Sequence, residues 1–542
     1  MLQQILRETN DSSPASVKWL SFLEVFRYNC GMHRLFTLLL ILLPAGAGAA
    51  VDPPNILIMM SDDQSFPHAS AYGSKMVSTP SFDRIARDGM LFSNAFCAAP
   101  GCSPSRAAFL TGRQIWMIEH AGTHASSFAG KYLTFMDLLE KAGYHTGYTG
   151  KGWSPGNFKA GGREQNPAGP SYGAKRGNYA AGFERFLKVR PENKPFAFWF
   201  GSSDPHRGYQ KGSGRKAGKT LSQAEVPPFL PDTPEIRDDL LDYALEIERF
   251  DRDCGSMLEL LEATGELGET IIIVTSDNGM PFPYAKANCT EYGIHMPLAI
   301  DWGSKVNGRQ TCDALVSFID LSATIHEATG IQAPTEFPLA GRSFLPLLLG
   351  KTETEPRKAV FSGRERHSSS RYNTLGYPQR CIRTERYLYV RNFKPERWPA
   401  GPGQKLSGKP GSRPGPEHGG YHDIDACPSL SFLIAGRNDP KVKDFFRLAV
   451  EKRPHEQLFD IHKDPGCLEN LADNPAFAKV REQLAGKLAG YLKSTADPRV
   501  TGDGDIFETY PRYSSIRWFA QPGWARKNPD AVPKLPWLDA KR

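Results

Sequence analysis

Three short apolar runs, separated by long stretches of helical character, limit the folds open to this chain more than any other feature. The runs are residues 55–60 (NILIMM), 196–200 (FAFWF) and 270–274 (TIIIV). Continuous apolar runs of this length are typical of strands buried on both faces of a parallel sheet, because amphipathic strands alternate and helices are longer. They predict an α/β fold in which helices cover both faces of a largely parallel sheet.

Helices are predicted between and around these runs. Apolar residues keep helical spacing from Leu240 to Leu261, and a second helix starts at Thr79 and Pro80 and stops near Gly89. Residues 133–142 and 321–329 show the same periodicity. We interpret these apolar stripes as core contacts rather than binding grooves.

The chain is long enough for one large domain and a smaller one. It has 542 residues, of which 40% are hydrophobic. Composition changes near residues 350–356, a strand-like alternation follows at residues 380–390, and a loop rich in Gly and Pro occupies residues 399–420. The predicted division is an N-terminal extension with signal peptide (1–50), a main domain (51–352), a smaller C-terminal domain (353–500) and an aromatic-rich tail (501–542).

The N-terminal extension resembles a secretion signal. A basic segment begins at Met32, residues 35–43 are apolar, and residues 47–49 (AGA) form a small-residue cleavage site. Either Met32 is the true start or the basic region is unusually long. Because residues 35–43 are too short to span a bilayer, we expect no stable membrane anchor and an exported protein in a periplasmic, extracellular or lysosome-like compartment.

Charge and cysteine content exclude some functions. The net charge of +7 is small for this length and no basic run with interleaved aromatic residues occurs, so no nucleic-acid partner is expected. Of nine cysteines, Cys30 precedes the predicted cleavage site and Cys102 belongs to the motif of residues 102–113, which leaves seven that could form disulfide bridges. They are scattered, which indicates neither a disulfide scaffold nor a zinc site and leaves one or two unassigned bridges open.

Acids and an amide follow two of the predicted strands. Asp62 and Asp63 come after the first run, and Asp277 and Asn278 after the third. Taken singly, each pair fits a turn or a helix cap. Together they supply four oxygen-bearing side chains at one edge of a sheet, which favours a hard cation such as Ca²⁺ or Mg²⁺ over zinc.

Residues 102–113 (CSPSRAAFLTGR) carry the most specific motif of the chain. The segment resembles the signature of the type I sulfatases, whose cysteine is oxidised after translation to formylglycine. The resemblance implies that Cys102 is converted to 3-oxoalanine by a formylglycine-generating or an anaerobic sulfatase-maturating enzyme. A hydrated aldehyde that accepts a sulfo group can expel sulfate by returning to the aldehyde, whereas a thiolate adduct has no such exit.

The resemblance extends over residues 53–475 and is greatest to the heparan N-sulfatases, through residues 195–207, 226–233 and 276–283. It implies an alkaline phosphatase-like mixed sheet sandwiched by helices, with a smaller C-terminal α+β domain. It also implies a sulfated saccharide substrate and a Ca²⁺ ion, with Mg²⁺ as the alternative. The implied ligands of the ion are Asp62, Asp63, Cys102, Asp277 and Asn278.

Four further residues match catalytic positions of the family. Arg106 corresponds to the arginine that holds the formylglycine, and Lys151 and Lys286 to cations at the sulfate; heparan N-sulfatases have arginine at the position of Lys286. His206 corresponds to a histidine that protonates the leaving group. Without their motifs, Arg106 would be interpreted as a surface helix residue and His206 as structural. Pro104 marks a helix start, which would place Cys102 at a positive helix end.

The chain departs from the family two residues after Lys151. Most members have histidine there, which takes a proton when sulfate leaves, but this chain has Trp153. His120 or His124 is a possible replacement from another loop, and water is the alternative. Trp153 is either a sugar-stacking platform or a buried packing residue.

Substrate recognition beyond the sulfate is the least constrained feature. Arg364 and His367 are substrate-binding candidates because related enzymes place residues of this region beside the substrate, and the basic loop 207–219 is either a polyanion contact or simply solvated. The sequence is consistent with sulfate release from N-sulfoglucosamine or from an O-sulfated polysaccharide. A phosphate-ester hydrolase and a catalytically impaired glycan-binding homologue are the other hypotheses.

Overall fold

The computed structural model describes residues 53–351, 355, 357–371, 374–403 and 420–514. The predicted secretion signal, residues 404–419 of the Gly- and Pro-rich loop, and the four aromatic residues of the tail from Trp518 to Trp537 lie outside the described residues. Everything that follows concerns the described part of the chain.

The strands are β1 (Asn55–Ser61), β2 (Met90–Phe96), β3 (His145–Gly150), β4 (Phe196–Gly201), β5 (Thr270–Ser276), β6 (His295–Asp301), β7 (Gln310–Cys312), β8 (Val316–Ser317), β9 (Val360–Arg364), β10 (Gln379–Arg383), β11 (Tyr387–Asn392) and β12 (Glu456–Asp460). The helices are α1 (Pro80–Asp88), α2 (Cys102–Thr111), α3 (Phe135–Lys141), α4 (Ala180–Val189), α5 (Ser213–Lys216), α6 (Pro234–Ala263), α7 (Glu291–Ile294), α8 (Phe318–Thr329), α9 (Leu345–Leu348), α10 (Pro428–Ala435), α11 (Lys443–Val450), α12 (Ala478–Ser494), α13 (Pro498–Thr501) and α14 (Ile506–Thr509).

The three apolar runs form neighbouring parallel strands at the centre of a mixed sheet. Its order is β3-β4-β1-β5-β6-β2-β7, with β8 paired to β2. Strand β1 pairs in parallel with β4 on one side and with β5 on the other, whereas β6 is antiparallel to both β5 and β2. The predicted parallel arrangement is therefore confirmed for the centre of the sheet, and the antiparallel β6 makes the whole sheet mixed.

Both faces of this sheet are buried, as the continuous apolar runs predicted. In β1, Ile56 and Ile58 belong to one hydrophobic core, and Leu57 and Met59 to a second core on the opposite face. Helices α2, α3 and α8 contribute to the first core, and α1 and α4 to the second. Because successive side chains of a strand point to opposite faces, this division shows a sheet enclosed between two helical layers.

The predicted helices are present with small shifts in their ends. Helix α1 has Pro80 in its first turn and Gly89 at its end, as the start and stop signals predicted. The long periodic segment around Leu240 becomes the 30-residue helix α6. A capping box begins α3, where the Thr134 hydroxyl accepts from the backbone N–H of Asp137 and the Asp137 carboxylate accepts from that of Thr134. At the start of α8, the Asp320 carboxylate accepts from the backbone N–H of Ser317.

A second, antiparallel sheet lies in the C-terminal part, in the order β12-β11-β10-β9. The single strand predicted over residues 380–390 is wrong, because the segment forms a hairpin of β10 and β11 joined through Thr384. The backbone N–H of Thr384 donates to the carbonyl of Tyr387, which closes this turn. The sheet agrees with a smaller α+β domain, while its predicted boundaries at 353 and 500 stay a prediction.

A buried arginine ties this sheet to the helices after it. Arg380 of β10 is fully buried; its Nε donates to Asp497 Oδ2 at 2.6 Å and its Nη2 to Glu365 Oε1 at 2.7 Å. Its guanidinium also lies 4.9 Å from the ring centre of Trp116. The buried Asp497 therefore depends on this side chain for its charge balance, whereas Glu365 shares Arg380 with a second arginine, Arg499.

Replacing Arg380 with alanine is expected to lower the free energy of unfolding by about 3–5 kcal/mol, because it leaves the buried Asp497 without the arginine that neutralises it. Arg447→Ala is the control: it removes an arginine paired with Glu451, where the arginine side chain is 55% and the glutamate side chain 33% exposed, and we expect a loss of at most about 1 kcal/mol. Chemical denaturation of both variants measures the difference. Equal effects would show that burial does not decide the contribution of these ion pairs.

None of the described helices has an apolar stretch long enough to span a bilayer. The eight cysteines in the described residues are all buried free thiols, so none of the bridges left open by the sequence forms among them. The described start of the aromatic tail packs onto the body: Phe507 is 2% exposed, and the ring of Tyr510 lies 4.2 Å from that of His120.

Candidate active site

The carboxyl ends of β1, β4 and β5 meet at one edge of the sheet and bring the predicted polar residues together. The backbone N–H of Asp62 donates to the carbonyl of Asp204 at 2.9 Å, and that of Asp277 to the carbonyl of Ser61 at 3.1 Å. The second bond continues the parallel pairing of β1 and β5 by one residue, whereas the first ties Asp62 to the loop that follows β4. Open α/β sheets bind ligands at this edge.

The backbone turns sharply at Asp63. Its φ of 75° lies in the left-handed region, which Asp and Asn tolerate better than most residues. Its N–H donates to Asp277 Oδ1 at 3.0 Å, and its Oδ1 accepts from Asn278 Nδ2 at 2.7 Å. The turn thus directs the Asp63 carboxylate towards the carboxylates of Asp62 and Asp277.

Cys102 begins helix α2 and faces these acids. The preceding Gly101 is extended, and Cys102 is 1% exposed. Its Sγ lies 3.4 Å from Asp62 Oδ1 and 3.9 Å from Asp63 Oδ1. Burial raises the pKa of the Cys102 thiol far above its usual range, and Lys151 offsets only part of that shift. The unmodified side chain is therefore a neutral thiol at physiological pH, placed at the positive end of a helix.

Arg106 lies one turn of α2 after Cys102 and binds two parts of the site. Its Nε donates to Asp277 Oδ2 at 2.8 Å and its Nη1 to the carbonyl of Lys151 at 2.6 Å. Burial alone would lower the pKa of Arg106, but Asp277 and Asp62 outweigh it and raise the pKa. The guanidinium is a permanent cation that fixes both the acid cluster and the backbone at Lys151.

Two lysines bring further positive charge to the acids. Lys151 Nζ lies 2.6 Å from Asp62 Oδ2, and Lys286 Nζ lies 2.6 Å from Asp63 Oδ2. Burial opposes ionisation of Asp62, but Lys151 and the other cations of the site outweigh it and hold the pKa of Asp62 well below its usual value. The backbone at Lys151 passes close to Gly201: a Cβ atom on residue 201 would lie 1.8 Å from the Lys151 carbonyl oxygen.

His206 reaches the site from the segment after β4. Its Nδ1 lies 2.6 Å from the carbonyl oxygen of Arg207, which can only accept, so Nδ1 carries a proton. Its Nε2 lies 3.8 Å from Asp63 Oδ2. The side chain is 29% exposed, which places a titratable nitrogen between the buried acids and the surface.

The donor atoms at this edge suit a hard divalent cation. Ligand atoms of Asp62, Cys102 and Asp277 lie within 4.8 Å of one another. Asn278 Oδ1 is buried and has no hydrogen-bond partner among the described residues, although an amide oxygen in the interior normally has one. Carboxylate and amide oxygens are the ligands preferred by Ca²⁺ and Mg²⁺, so the residues present fit the ion that the sequence predicted.

The sugar-stacking interpretation of Trp153 is wrong, because its ring is buried. Trp153 is 1% exposed, packs edge-on against Phe128 with ring centres 5.3 Å apart, and donates from Nε1 to the carbonyl of Ser103 at 3.0 Å. The indole therefore braces the first turn of α2. It supports the helix that carries Cys102 and offers no face to a saccharide.

Replacing Trp153 with alanine is expected to lower the free energy of unfolding by about 3–5 kcal/mol, the usual loss for a buried aromatic residue. Trp153→Phe keeps most of the packing and removes the bond to Ser103, so about 1 kcal/mol of loss is expected. Urea unfolding checks both values. A raised KM with unchanged stability in Trp153→Ala would instead support the stacking role.

The two histidines proposed as replacements occupy different places. His120 Nδ1 lies 2.9 Å from Ser127 Oγ, and its ring packs on Tyr510. His124 packs on His367 with ring centres 4.3 Å apart, and His367 Nδ1 would lie 3.0 Å from a Cβ on Gly101. The His124–His367 pair therefore borders the residue that precedes Cys102.

Arg364 lies inside an ion cluster rather than at a surface. It is 4% exposed, its Nη2 donates to Asp423 Oδ2 at 2.6 Å, and its Nη1 donates to Asn288 Oδ1 at 3.2 Å. Burial lowers the pKa of Arg364 to about 10, with Asp423 opposing the shift. In the basic loop, the Arg207 side chain is likewise buried against Asp239. Lys211, Arg215 and Lys216 are exposed, as the solvated-loop interpretation expects.

One charged residue of the site, Asp425, was not predicted from the sequence. Asp425 Oδ2 lies 3.1 Å from Lys286 Nζ, and ligand atoms of Asp425, Asp63 and His206 lie within 4.8 Å of one another. Asp425 is 139 residues from Lys286 along the chain and follows no apolar run. The available signal was only its place in the short polar segment 420–427 after the Gly- and Pro-rich loop.

Comparisons with known proteins identify the family of this chain. A family model described as sulfatase matches residues 54–331, and one described as N-sulphoglucosamine sulphohydrolase, C-terminal, matches residues 283–399. Human N-sulphoglucosamine sulphohydrolase is 30% identical over 84% of this chain and 93% of its own length. An ulvan-active sulfatase of Formosa agariphila is 28% identical over 83% of this chain and 82% of its own.

Solved structures share the fold at low identity. A protein in complex with its substrate D-glucosamine-2-N,6-O-disulfate has a TM-score of 0.60 and 19% identity, covering 82% of this chain and 98% of its own. A 2-O glycosaminoglycan sulfatase has a TM-score of 0.58 and 17% identity, covering 88% of this chain and all of its own. With the sulfatase model matching more than half of the chain, this protein is a sulfuric ester hydrolase of the sulfatase family.

Proposed function

We propose that this protein releases sulfate from N-sulfoglucosamine of a heparan-type saccharide, with formylglycine made from Cys102 as its nucleophile. The observation that carries the proposal is the position of Cys102, which starts a buried helix 3.4 Å from Asp62 amid the cations of the site. The 30% identity to human N-sulphoglucosamine sulphohydrolase over most of both chains supports the choice of substrate.

The state of the cysteine explains why a modification is needed. A buried thiol with a raised pKa is a weak nucleophile, and a thiol adduct of the sulfo group could not be cleared easily. Oxidation of Cys102 to the aldehyde and its hydration would place a diol where Sγ now lies. One hydroxyl would take the sulfo group, and collapse of the diol carbon to the aldehyde would release sulfate.

Asp62, Asp63, Asp277, Asn278 and the modified Cys102 would hold a Ca²⁺ ion, with Mg²⁺ as the alternative. Such an ion would supply Lewis-acid stabilisation of the negative charge on the sulfate oxygens. Arg106 keeps Asp277 and the Lys151 backbone in place for this cluster. The buried oxygen of Asn278, for which the described part of the chain offers no hydrogen-bond partner, supports this assignment.

The remaining groups would bind the sulfo group and move protons. Lys151 and Lys286 would bind its oxygens as point charges, together with the positive end of α2. The S–N bond breaks as the nucleophilic oxygen bonds to sulfur, and His206 in its doubly protonated form would give the departing nitrogen a proton from Nε2 while Nδ1 keeps its own. His124 and His367 border Gly101, where a base is needed for sulfate release because Trp153 replaces the usual histidine.

The proposal also includes the partners and the compartment that the sequence predicted. Conversion of Cys102 requires a formylglycine-generating or an anaerobic sulfatase-maturating enzyme. The basic and apolar segments before residue 50 support export to a periplasmic, extracellular or lysosome-like compartment.

An O-sulfatase is the second candidate function. Similarity to an ulvan-active sulfatase favours it, as does Lys286, which stands where heparan N-sulfatases have arginine. Lysine lacks the planar fork of arginine, so the contacts with the sulfo group differ in geometry. A catalytically impaired homologue is the third, and it predicts saccharide binding without sulfate release.

Sulfate release by the fully converted enzyme decides between these functions. We expect release from N-sulfoglucosamine with a kcat/KM about 10⁴-fold or more above that for glucosamine 6-O-sulfate, the scale of discrimination by sites built to hydrogen-bond a polar substrate group. The reverse preference would establish the O-sulfatase. Binding of both saccharides without release would establish the impaired homologue.

A further inference from the structure

Asp425 places a second acid on the leaving-group side of the site. It is buried, lies 3.1 Å from Lys286 Nζ, and approaches both Asp63 and His206 within 4.8 Å. Asp63 belongs to the acid cluster at the strand ends, whereas Asp425 comes from the C-terminal part of the chain. Any group that receives a proton from His206 must therefore pass close to the Asp425 carboxylate.

The segment that carries Asp425 is held firmly. Two residues earlier, Asp423 accepts from Arg364 Nη2 at 2.6 Å, from Arg371 Nη2 at 2.5 Å and from Ser368 Oγ at 2.5 Å. These arginines and the carboxylate are all at least nine-tenths buried. Since charge-assisted hydrogen bonds from several directions restrict a side chain strongly, Asp425 occupies a pre-organised position.

A carboxylate at this place distinguishes two kinds of leaving group. An ionised carboxylate only accepts hydrogen bonds. The nitrogen of a sulfamate carries one hydrogen and can donate it, whereas the bridging oxygen of a sulfate ester has only lone pairs, which a carboxylate repels. A fixed negative acceptor beside the scissile bond therefore favours S–N over S–O substrates.

We propose that Asp425 is a specificity-determining residue whose carboxylate accepts a hydrogen bond from the N–H of an N-sulfated amino sugar. The inference rests on the proposed function, because it concerns how the same site chooses between N-sulfate and O-sulfate. Lys286 neutralises part of the charge of Asp425, which lets the acid lie near a sulfo group without excluding it. The test separates this role from the positioning of Lys286.

The experiment measures kcat and KM of wild type, Asp425→Asn and Asp425→Ala on N-sulfoglucosamine and on glucosamine 6-O-sulfate. The asparagine amide retains an uncharged acceptor, so kcat/KM for the N-sulfate is expected to fall about 10-fold in Asp425→Asn. Alanine retains no acceptor, and a fall of about 100-fold or more is expected in Asp425→Ala. Activity on the O-sulfate is expected to stay constant or rise. Asp444→Asn, at an acid whose side chain is 75% exposed on α11, is the matched control and should change neither substrate.

Each other outcome counts against the inference in its own way. Equal losses on both substrates would show that Asp425 only positions Lys286, since both substrates carry the sulfo group that Lys286 binds. Unchanged N-sulfate turnover in Asp425→Asn and Asp425→Ala would overturn the role altogether. If alanine prevents folding, the asparagine variant decides alone. Wild type that releases no sulfate from N-sulfoglucosamine would overturn the proposed function, and this inference with it.

Discussion

Replacing Cys102 with serine is expected to abolish turnover, with kcat lower by about 10⁴-fold or more, the scale seen when a catalytic nucleophile is lost. Serine can accept a sulfo group through its hydroxyl but has no second hydroxyl on the same carbon to expel it. The variant should therefore stop after one reaction and keep the sulfo group covalently attached. Mass spectrometry of the peptide containing residue 102, after incubation with substrate, measures this adduct.

Cys312→Ser is the matched control for this experiment. Cys312 is a buried free cysteine on the edge strand β7. In the sheet order this strand is separated from β1, β4 and β5, whose ends carry the site. We expect Cys312→Ser to keep wild-type turnover and to carry no adduct. A Cys102→Ser enzyme with appreciable steady-state turnover would contradict the nucleophile and support the phosphatase-like alternative.

Replacing Asp63 with asparagine is expected to remove metal-dependent activity, with a loss in kcat/KM of about 10³-fold. Asparagine tolerates the left-handed backbone found at Asp63, so the turn itself should persist. For wild type, Ca²⁺ at about 100 times its Kd should raise the free energy of unfolding by about 2.7 kcal/mol, because only the folded protein binds the ion. The variant should show little of this increase.

Thermal unfolding with and without Ca²⁺, together with elemental analysis of the purified enzyme, checks the metal prediction. Asp232→Asn is the control, since the Asp232 side chain is 58% exposed and pairs with Arg237. It should leave both metal content and activity unchanged. Full metal retention by Asp63→Asn would show that the ion is held elsewhere.

The parts of this structure that follow from local patterns were predictable. The segments 56–60, 196–200 and 271–274 of β1, β4 and β5 are apolar at every position because both faces of each strand are buried, and the acids follow where those strands end. The helix start signal at Pro80 and the stop signal at Gly89 each act within one turn, so they predicted the two ends of α1 correctly. Parallel pairing then brought Asp62 beside Asp277 across more than 200 residues.

The parts that depend on tertiary contacts were not predictable. Residues 380–390 alternate as one strand would, and only the pairing of β10 with both β9 and β11 reveals a hairpin. Trp153 offered two roles until Phe128 and Ser103 were seen to enclose it. Asp425 has no motif of its own, since its role arises from contacts with residues far away in the sequence.

The most direct test compares the fraction of Cys102 present as formylglycine with the specific activity of the same preparation. Enzyme produced with different amounts of maturating enzyme would be digested, and the peptide containing residue 102 quantified by mass spectrometry as thiol or aldehyde. We predict that sulfate release rises in proportion to the aldehyde fraction and extrapolates to zero where Cys102 is entirely thiol. Full activity in a preparation that contains only the thiol would contradict the account.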